Sequence, residues 1–216
     1  MSRDHVLRKV RTALARSAGQ PPATPPEPML RIPEVDSVDR VASFCGCLEK
    51  LGVKTKTAAS AAEARDYAAA LMNGRRAVAS NSAILHDCGI TGIPGVRSGF
   101  TEAMAWREAC VEADVGITGA DFALADTGTL VFFSSLEEPR LVSLLPPVHL
   151  AIVQRERLLT GLDELFTIVP DPSQKSSSLV FLTGPSRTAD IEQILVRGVH
   201  GPGEIHVVLI GGVDSR

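Results

Sequence analysis

Residues 115–131 read VGITGADFALADTGTLV, and the spacing inside this stretch decides the fold. A short apolar strand, 115–118, runs into a Gly-Ala turn. Two further extended runs, 120–126 and 129–134, follow with almost nothing between them. Strands joined by so few residues pair antiparallel, because a parallel return needs a crossover of a dozen residues or more. The apolar runs at 141–145 and 148–154 continue the close spacing and read as two more strands.

Upstream the pattern is different. Asp36 or Ser37 can cap a helix through Val41, Phe44, Leu48 and Leu51, stopped by Gly52. A strand at 53–57, an Ala-rich helix at 60–72, a strand at 76–79 and a helix at 100–111 come next. Downstream, 155–166 reads as a helix, 178–182 as a buried strand, 188–196 as a helix and 204–210 as a last strand. Strand and helix in alternation indicate a mostly parallel sheet covered on both faces. The expected fold class is therefore α/β, three-layered, with an antiparallel insert in the middle.

The N-terminal residues place Val6, Leu7, Val10 and Leu14 on one helical face, and residues 19–28, GQPPATPPEP, cannot continue that helix. Two parts are expected: an N-terminal helix with a Pro-rich linker over 1–33, and an α/β domain over 34–216. With 216 residues, 44% apolar and 22% charged, the chain can build one sizeable core. A net charge of -3 gives no general pull toward nucleic acid. No apolar run is long enough to span a bilayer, and the N-terminus lacks the apolar stretch of a secretory signal, so a cytoplasmic location is expected. Cys45, Cys47, Cys88 and Cys110 have no C-x-x-C spacing, and His86, His149 and His200 no metal-ligand spacing, so neither an iron–sulfur cluster nor a metal site is expected in this chain.

Three stretches can carry chemistry. In 116–129, small residues allow backbone N–H groups to approach a ligand, and Asp121 and Asp126 can accept a hydroxyl or act as a base. Thr118, Thr127, Gly128 and Thr129 complete that side. Two ordinary turns would use the same residue types. In 180–191, a strand enters the loop of Gly184, Ser186 and Arg187 and then a helix start at Thr188, an arrangement suited to an anion as well as to plain capping. In 197–206, RGVHGPGEIH, His200 can face the same site, and so can His149 after Pro146-Pro147. There is no G-x-S-x-G, no Walker loop and no G-x-G-x-x-G opening a βαβ unit.

Taken together, GITGADFALADTGTLV, SLLPPVHLAIV and LTGPSRTADIEQILVRGVHGPGEIHVVLI resemble the LUD domain of the lactate utilization protein C family. The resemblance implies a fold of the glucosamine-6-phosphate deaminase, ribose-5-phosphate isomerase and CoA transferase type. It also implies a place in a three-protein system that converts L-lactate to pyruvate, with iron–sulfur clusters in the two partner subunits and none here. That family commonly has Glu where this chain has Asp126. The expected role is binding of a small anionic ligand or positioning of the partners. The alternative is a stand-alone enzyme acting on a sugar phosphate or an acyl-CoA.

Overall fold

The computed structural model describes residues 2–21, 24, 29–189 and 195–211. Chain contacts divide it into two compact units, Met1–Leu30 and Arg31–Arg216. In the first, helix α1 (Arg3–Ala13) is capped by Ser2, whose side chain accepts the His5 N–H, and none of its residues is buried. Most of the Pro-rich stretch expected to be extended, residues 22, 23 and 25–28, lies outside the described residues.

The second unit opens with α2 (Ser37–Leu51), where Asp36 accepts the N–H groups of Val38 and Asp39 and Gly52 closes the helix at φ +78°. Strand β1 (Lys54–Ala58), helix α3 (Ala61–Met72) and strand β2 (Ala77–Ala79) follow. Next come α4 (Ala83–Asp87), β3 (Val96–Arg97), α5 (Ala103–Glu112) and β4 (Val115–Gly119). The middle holds β5 (Phe122–Leu124), β6 (Thr129–Phe133), α6 (Arg140–Leu144) and β7 (Val148–Gln154). Last are β8 (Leu158–Leu159), α7 (Leu162–Ile168), β9 (Leu179–Leu182), β10 (Arg187–Ala189), β11 (Leu195–Arg197) and β12 (Glu204–Ile210).

Six strands form one sheet, ordered β1-β12-β7-β4-β2-β3, and every pairing in it is parallel. Four further strands stand apart from it in a mixed sheet ordered β8-β5-β6-β9, and β10 and β11 form an antiparallel pair of their own. Alternation along the strands explains the layering. On β7, Leu150 and Ile152 face a core shared with α3 and α4. Ala151 and Val153 face the opposite core, with Phe44 and Leu48 of α2 and Ala123, Leu130 and Phe132 of the smaller sheet. The far side of that smaller sheet packs Phe122, Leu124, Val131 and Phe133 on Leu165 of α7.

Three sequence expectations are corrected here. The run 141–145 is helical: Pro139, at φ -75°, leads directly into α6, whose Val142 is buried while Leu141, Leu144 and Leu145 face outward. That short helix is the crossover that lets β7 return parallel to β4. The span 155–166 is not one helix: Arg155–Arg157 forms a single 3-10 turn, Leu158 and Leu159 extend to pair with Ala123 and Leu124, Gly161 is fully extended, and an α-helix begins only at Leu162. The helix expected at 188–196 is replaced at both ends by strands: Arg187↔Arg197, Thr188↔Val196 and Ala189↔Leu195 pair antiparallel. β-Branched residues at 188 and 196 suit a ladder better than a helix. Residues 190–194, with the expected first-turn Asp190, lie outside the described residues.

The crossover depends on a bare backbone position. A Cβ at Gly116 of β4 would stand 1.9 Å from the carbonyl oxygen of Val142. Gly116→Ala is therefore expected to destabilise the fold by at least about 1–3 kcal/mol, the usual cost of forcing atoms into a packed core, measured as a lower urea midpoint at unchanged slope.

Candidate functional site

The residues singled out from sequence fall into three separate surroundings. Thr118 is fully buried, its Oγ1 2.8 Å from Nε2 of His149 on the neighbouring strand. Complete burial lowers the His149 pKa to about 3, so this imidazole is neutral and belongs to the core rather than to a cleft. Gly184, Ser186, Arg187 and His200 form a second group. Ser186 Oγ accepts the His200 N–H, and its backbone bonds to Gly198 and Pro202 fix the turn into β12. The Arg187 guanidinium donates to the Leu51 carbonyl, one of the last acceptors of α2. Thr188, expected at a helix start, lies on β10. The free helix N–H groups proposed to hold an anion are thus not formed at this position, and its cation is engaged by α2.

Asp126, Thr127 and Thr129 make the third group, and here two distant stretches do meet. Thr129 Oγ1 lies 2.7 Å from Thr183 Oγ1 and donates to Thr127 Oγ1 at 2.8 Å. Together with Leu124, Leu162, Phe166 and Phe181 these residues line a cavity of about 280 Å³. Asp126 and Leu162 also line a larger neighbouring cleft of about 690 Å³ with Arg31, Thr160, Asp163 and Glu164. The glycines beside this place serve another purpose than ligand approach. At Gly128, φ +69°, a Cβ would stand 3.0 Å from Cys47 on α2, and at Gly184, φ +81°, 3.2 Å from Leu51. Both let the loops close onto the helix.

Asp121 points elsewhere. It leaves β4 at the carboxyl edge of the parallel sheet, and its Oδ2 accepts the Phe133 N–H at 2.7 Å. Burial raises its pKa, against the pull of that bond and of the Lys175 and Arg157 charges. Beside it lies a group that the sequence did not disclose. Glu138, only 8% exposed, accepts the Ser80 hydroxyl at 2.7 Å and the Gly119 N–H at 3.2 Å, both at Oε2. Ser80 directly follows β2 and Gly119 ends β4, so this carboxyl bridges the ends of two adjacent parallel strands. Desolvation pushes its pKa up to about 8, the two bonds lower it, and the Asp121 charge raises it further. Gly119 is required here too, since a Cβ would approach Ser82 Oγ to 2.2 Å. The one signal that could have found this place is that Ser80 follows a parallel strand, where such sheets hold ligands. Glu138 itself lies 58 residues from Ser80, in a loop without any motif. Among the described residues no group of three or more His, Cys, Asp or Glu is placed to hold a metal.

An all-parallel sheet with a buried acid at its carboxyl edge, accompanied by a smaller mixed sheet, defines an α/β protein built to present polar groups at one rim. Residues 41–210 match the LUD domain, and the chain belongs to that family. It is similar to proteins named lactate utilization protein C. One from Exiguobacterium is 38% identical over 110 residues, 49% of this chain and 48% of that protein. One from Halalkalibacterium halodurans is 41% identical over 106 residues, 47% and 46%. One from Bacillus subtilis is 39% identical over 103 residues, 46% and 43%. The chain thus spans about half the length of the curated relatives it matches. The crystal structure of a DUF162 family protein from Deinococcus radiodurans shares the fold, with a TM-score of 0.65 at 21% identity over 82% of this chain and 100% of that one.

The Glu138 carboxyl sets the sign of a pH dependence. Its folded pKa lies above its unfolded one, so the native state holds the extra proton and stability falls as pH rises through the window from about 4.5 to about 8. The slope from this group alone approaches about 1.4 kcal/mol per pH unit in mid-window. Asp121 shifts in the same direction. His149, whose folded pKa is lowered to about 3, acts in the opposite direction up to about pH 6.5. The check is therefore the difference: urea unfolding at pH 5 and pH 8 should show wild type losing stability relative to Glu138→Gln as pH rises.

Proposed function

We propose that this chain serves L-lactate oxidation to pyruvate as the subunit without redox centres, and that it positions two iron–sulfur partner subunits. The observation that carries this reading is the character of the cleft where the Asp126 and Thr183 stretches meet. Its wall is apolar and open, with Leu162 45% and Phe181 42% exposed, and its rim carries Asp126, Asp163 and Glu164 against Arg31. A small anion would be disfavoured there, because among the described lining residues Arg31 is the one cation and faces Asp126, Asp163 and Glu164. A partner segment with apolar side chains and basic flanks would find both a surface and complementary charge. The likeness to proteins named for lactate utilization supports the assignment to that system.

Residues 34–216 act in this proposal as the LUD-type body, of the glucosamine-6-phosphate deaminase, ribose-5-phosphate isomerase and CoA transferase fold type, with 1–33 as an arm. The all-parallel sheet beside a smaller mixed one supports that placement. The protein works in the cytoplasm, and no helix among the described residues is long and apolar enough to cross a membrane. The alternative, a stand-alone enzyme on a sugar phosphate or acyl-CoA, draws its support from the polar rim around Glu138.

The test is reconstitution with the two iron–sulfur subunits from the same source. Lactate-dependent dye reduction should require this chain. Leu162→Glu and Phe181→Glu should each cut co-purification with the partners by tenfold or more while leaving the fold intact by circular dichroism. Full dye reduction without this chain, or undiminished co-purification of both variants, would remove the positioning role.

A further inference from the structure

Strand β9 is the last strand of the smaller sheet, and its free side follows from the ladder it makes with β6. The Ser134 N–H donates to the Ser178 carbonyl at 2.9 Å, and further along Phe132 pairs with Val180 and Leu130 with Leu182. Opposite residues of an antiparallel pair alternate between bonded and unbonded. Val180 and Leu182 therefore bond to β6, while the N–H and C=O groups of Leu179 and Phe181 point away from it. No hydrogen bond from a described residue reaches those four groups. The side chains alternate as well. Val180 and Leu182 face the core around α2. Phe181 stands opposite Val131, and Thr183 Oγ1 lies 2.7 Å from Thr129 Oγ1, so both are on the side covered by α7. There Phe181 is 42% exposed and, with Leu162, Phe166 and Thr183, lines the cavity of about 280 Å³. Asp126 lines the same cavity, is exposed, and has no Lys or Arg within ion-pair distance among the described residues.

We propose that β9 takes up an extended segment of a partner protein as a fifth strand of the smaller sheet. The segment's backbone bonds to Leu179 and Phe181, one apolar side chain enters the cavity beside Phe181, and a Lys or Arg further along meets Asp126. In strand addition the main chain supplies affinity and pockets for alternate side chains supply specificity, and both elements are present at this margin. Successive residues of an added strand point to opposite faces, so every second one is directed to the side where the cavity lies. Past Thr183 the segment runs toward the turn between β5 and β6, where Asp126 sits. A second copy of this chain fits less well. Residues 176–186, SSSLVFLTGPS, carry no charge, and two-fold pairing of that stretch with itself would leave both Asp126 carboxylates without a counter-charge. This inference rests on the reading of the Asp126 cleft as the place where partners dock. It adds that the contact runs through the backbone of β9, and it names the pattern of the segment: apolar at alternate positions, basic at the end beside Thr183.

The experiment is residue-resolved amide hydrogen exchange on the full-length chain, alone and in complex with the two iron–sulfur subunits from the same source. The Leu179 and Phe181 amides should exchange fast in the free chain and about a hundredfold more slowly in the complex. Two variants separate backbone from side chain. Phe181→Pro removes the outward N–H, a change that an edge strand tolerates, and Phe181→Val keeps that donor on a side chain of similar size. The Pro variant should bind the partners about tenfold more weakly than the Val variant. Asp126→Asn should weaken binding about fivefold. The proposal is overturned by a complex in which both amides stay unprotected, by equal binding of the Pro and Val variants, or by Asp126→Asn binding as tightly as wild type. Protection that appears only in a dimer of this chain also overturns it. If the Pro variant does not fold, exchange in the wild-type complex decides. Should no complex form, the docking reading and this inference fall together; should a complex form with both amides unprotected, strand addition alone falls.

Discussion

Strand β4 gives up side chains at the two places where other parts of the chain must come closest, and the arrangement of the body follows from that. At Gly116 the carbonyl of Val142 lies where a Cβ would be, so α6 crosses directly over the strand and delivers β7 in parallel register beside it. At Gly119 the space is taken by Ser82, and the freed N–H is bound by Glu138. Packed interiors tolerate neither extra atoms nor voids, so these two positions set how near the crossover and the Ser80–Ser82 turn can approach.

Electrostatics at the rim is a consequence of that closeness. The loop after β6 is drawn in until Glu138 is almost wholly out of water, and its charged form is penalised accordingly. Asp121, two residues beyond Gly119, keeps more solvent and two nearby cations. Burial raises the pKa of both carboxyls, and at Asp121 the Phe133 N–H and the two cations oppose that shift. The cleft around Asp126, at the other place where distant stretches meet, is of a different kind: its hydroxyls bond mainly to one another, and its wall is hydrocarbon.

Local signals in the sequence carried much of the fold. Asp36, Gly52 and Ser60 marked helix ends that the structure keeps, and the runs 148–154 and 204–210 coincide with β7 and β12. These elements depend on neighbours a few residues away. The failures share the opposite dependence. Leu158 and Leu159 extend because β5 offers a ladder, and Arg187–Ala189 because β11 does, while 141–145 turns helical to satisfy a parallel crossover. At the site, Asp126, Thr127 and Thr129 were legible because turn chemistry and ligand chemistry use the same residues, and they do share a cavity. Glu138 was not, since its surroundings are assembled from residues 19 and 58 positions away. The reading of Gly128 and Gly184 as openings for a ligand met a helix instead, because a positive φ and a missing side chain serve close packing equally well.

Strand β9 stands at the margin of the smaller sheet, with β6 on one side of it and no ladder partner on the other among the described residues. Its four residues, Leu179–Leu182, are all apolar, with neither a proline nor a lysine among them to discourage another strand from adding on. The chain by itself would therefore be poised to pair with a second copy along that margin, and its tendency to associate would rise with concentration more steeply than its net charge suggests.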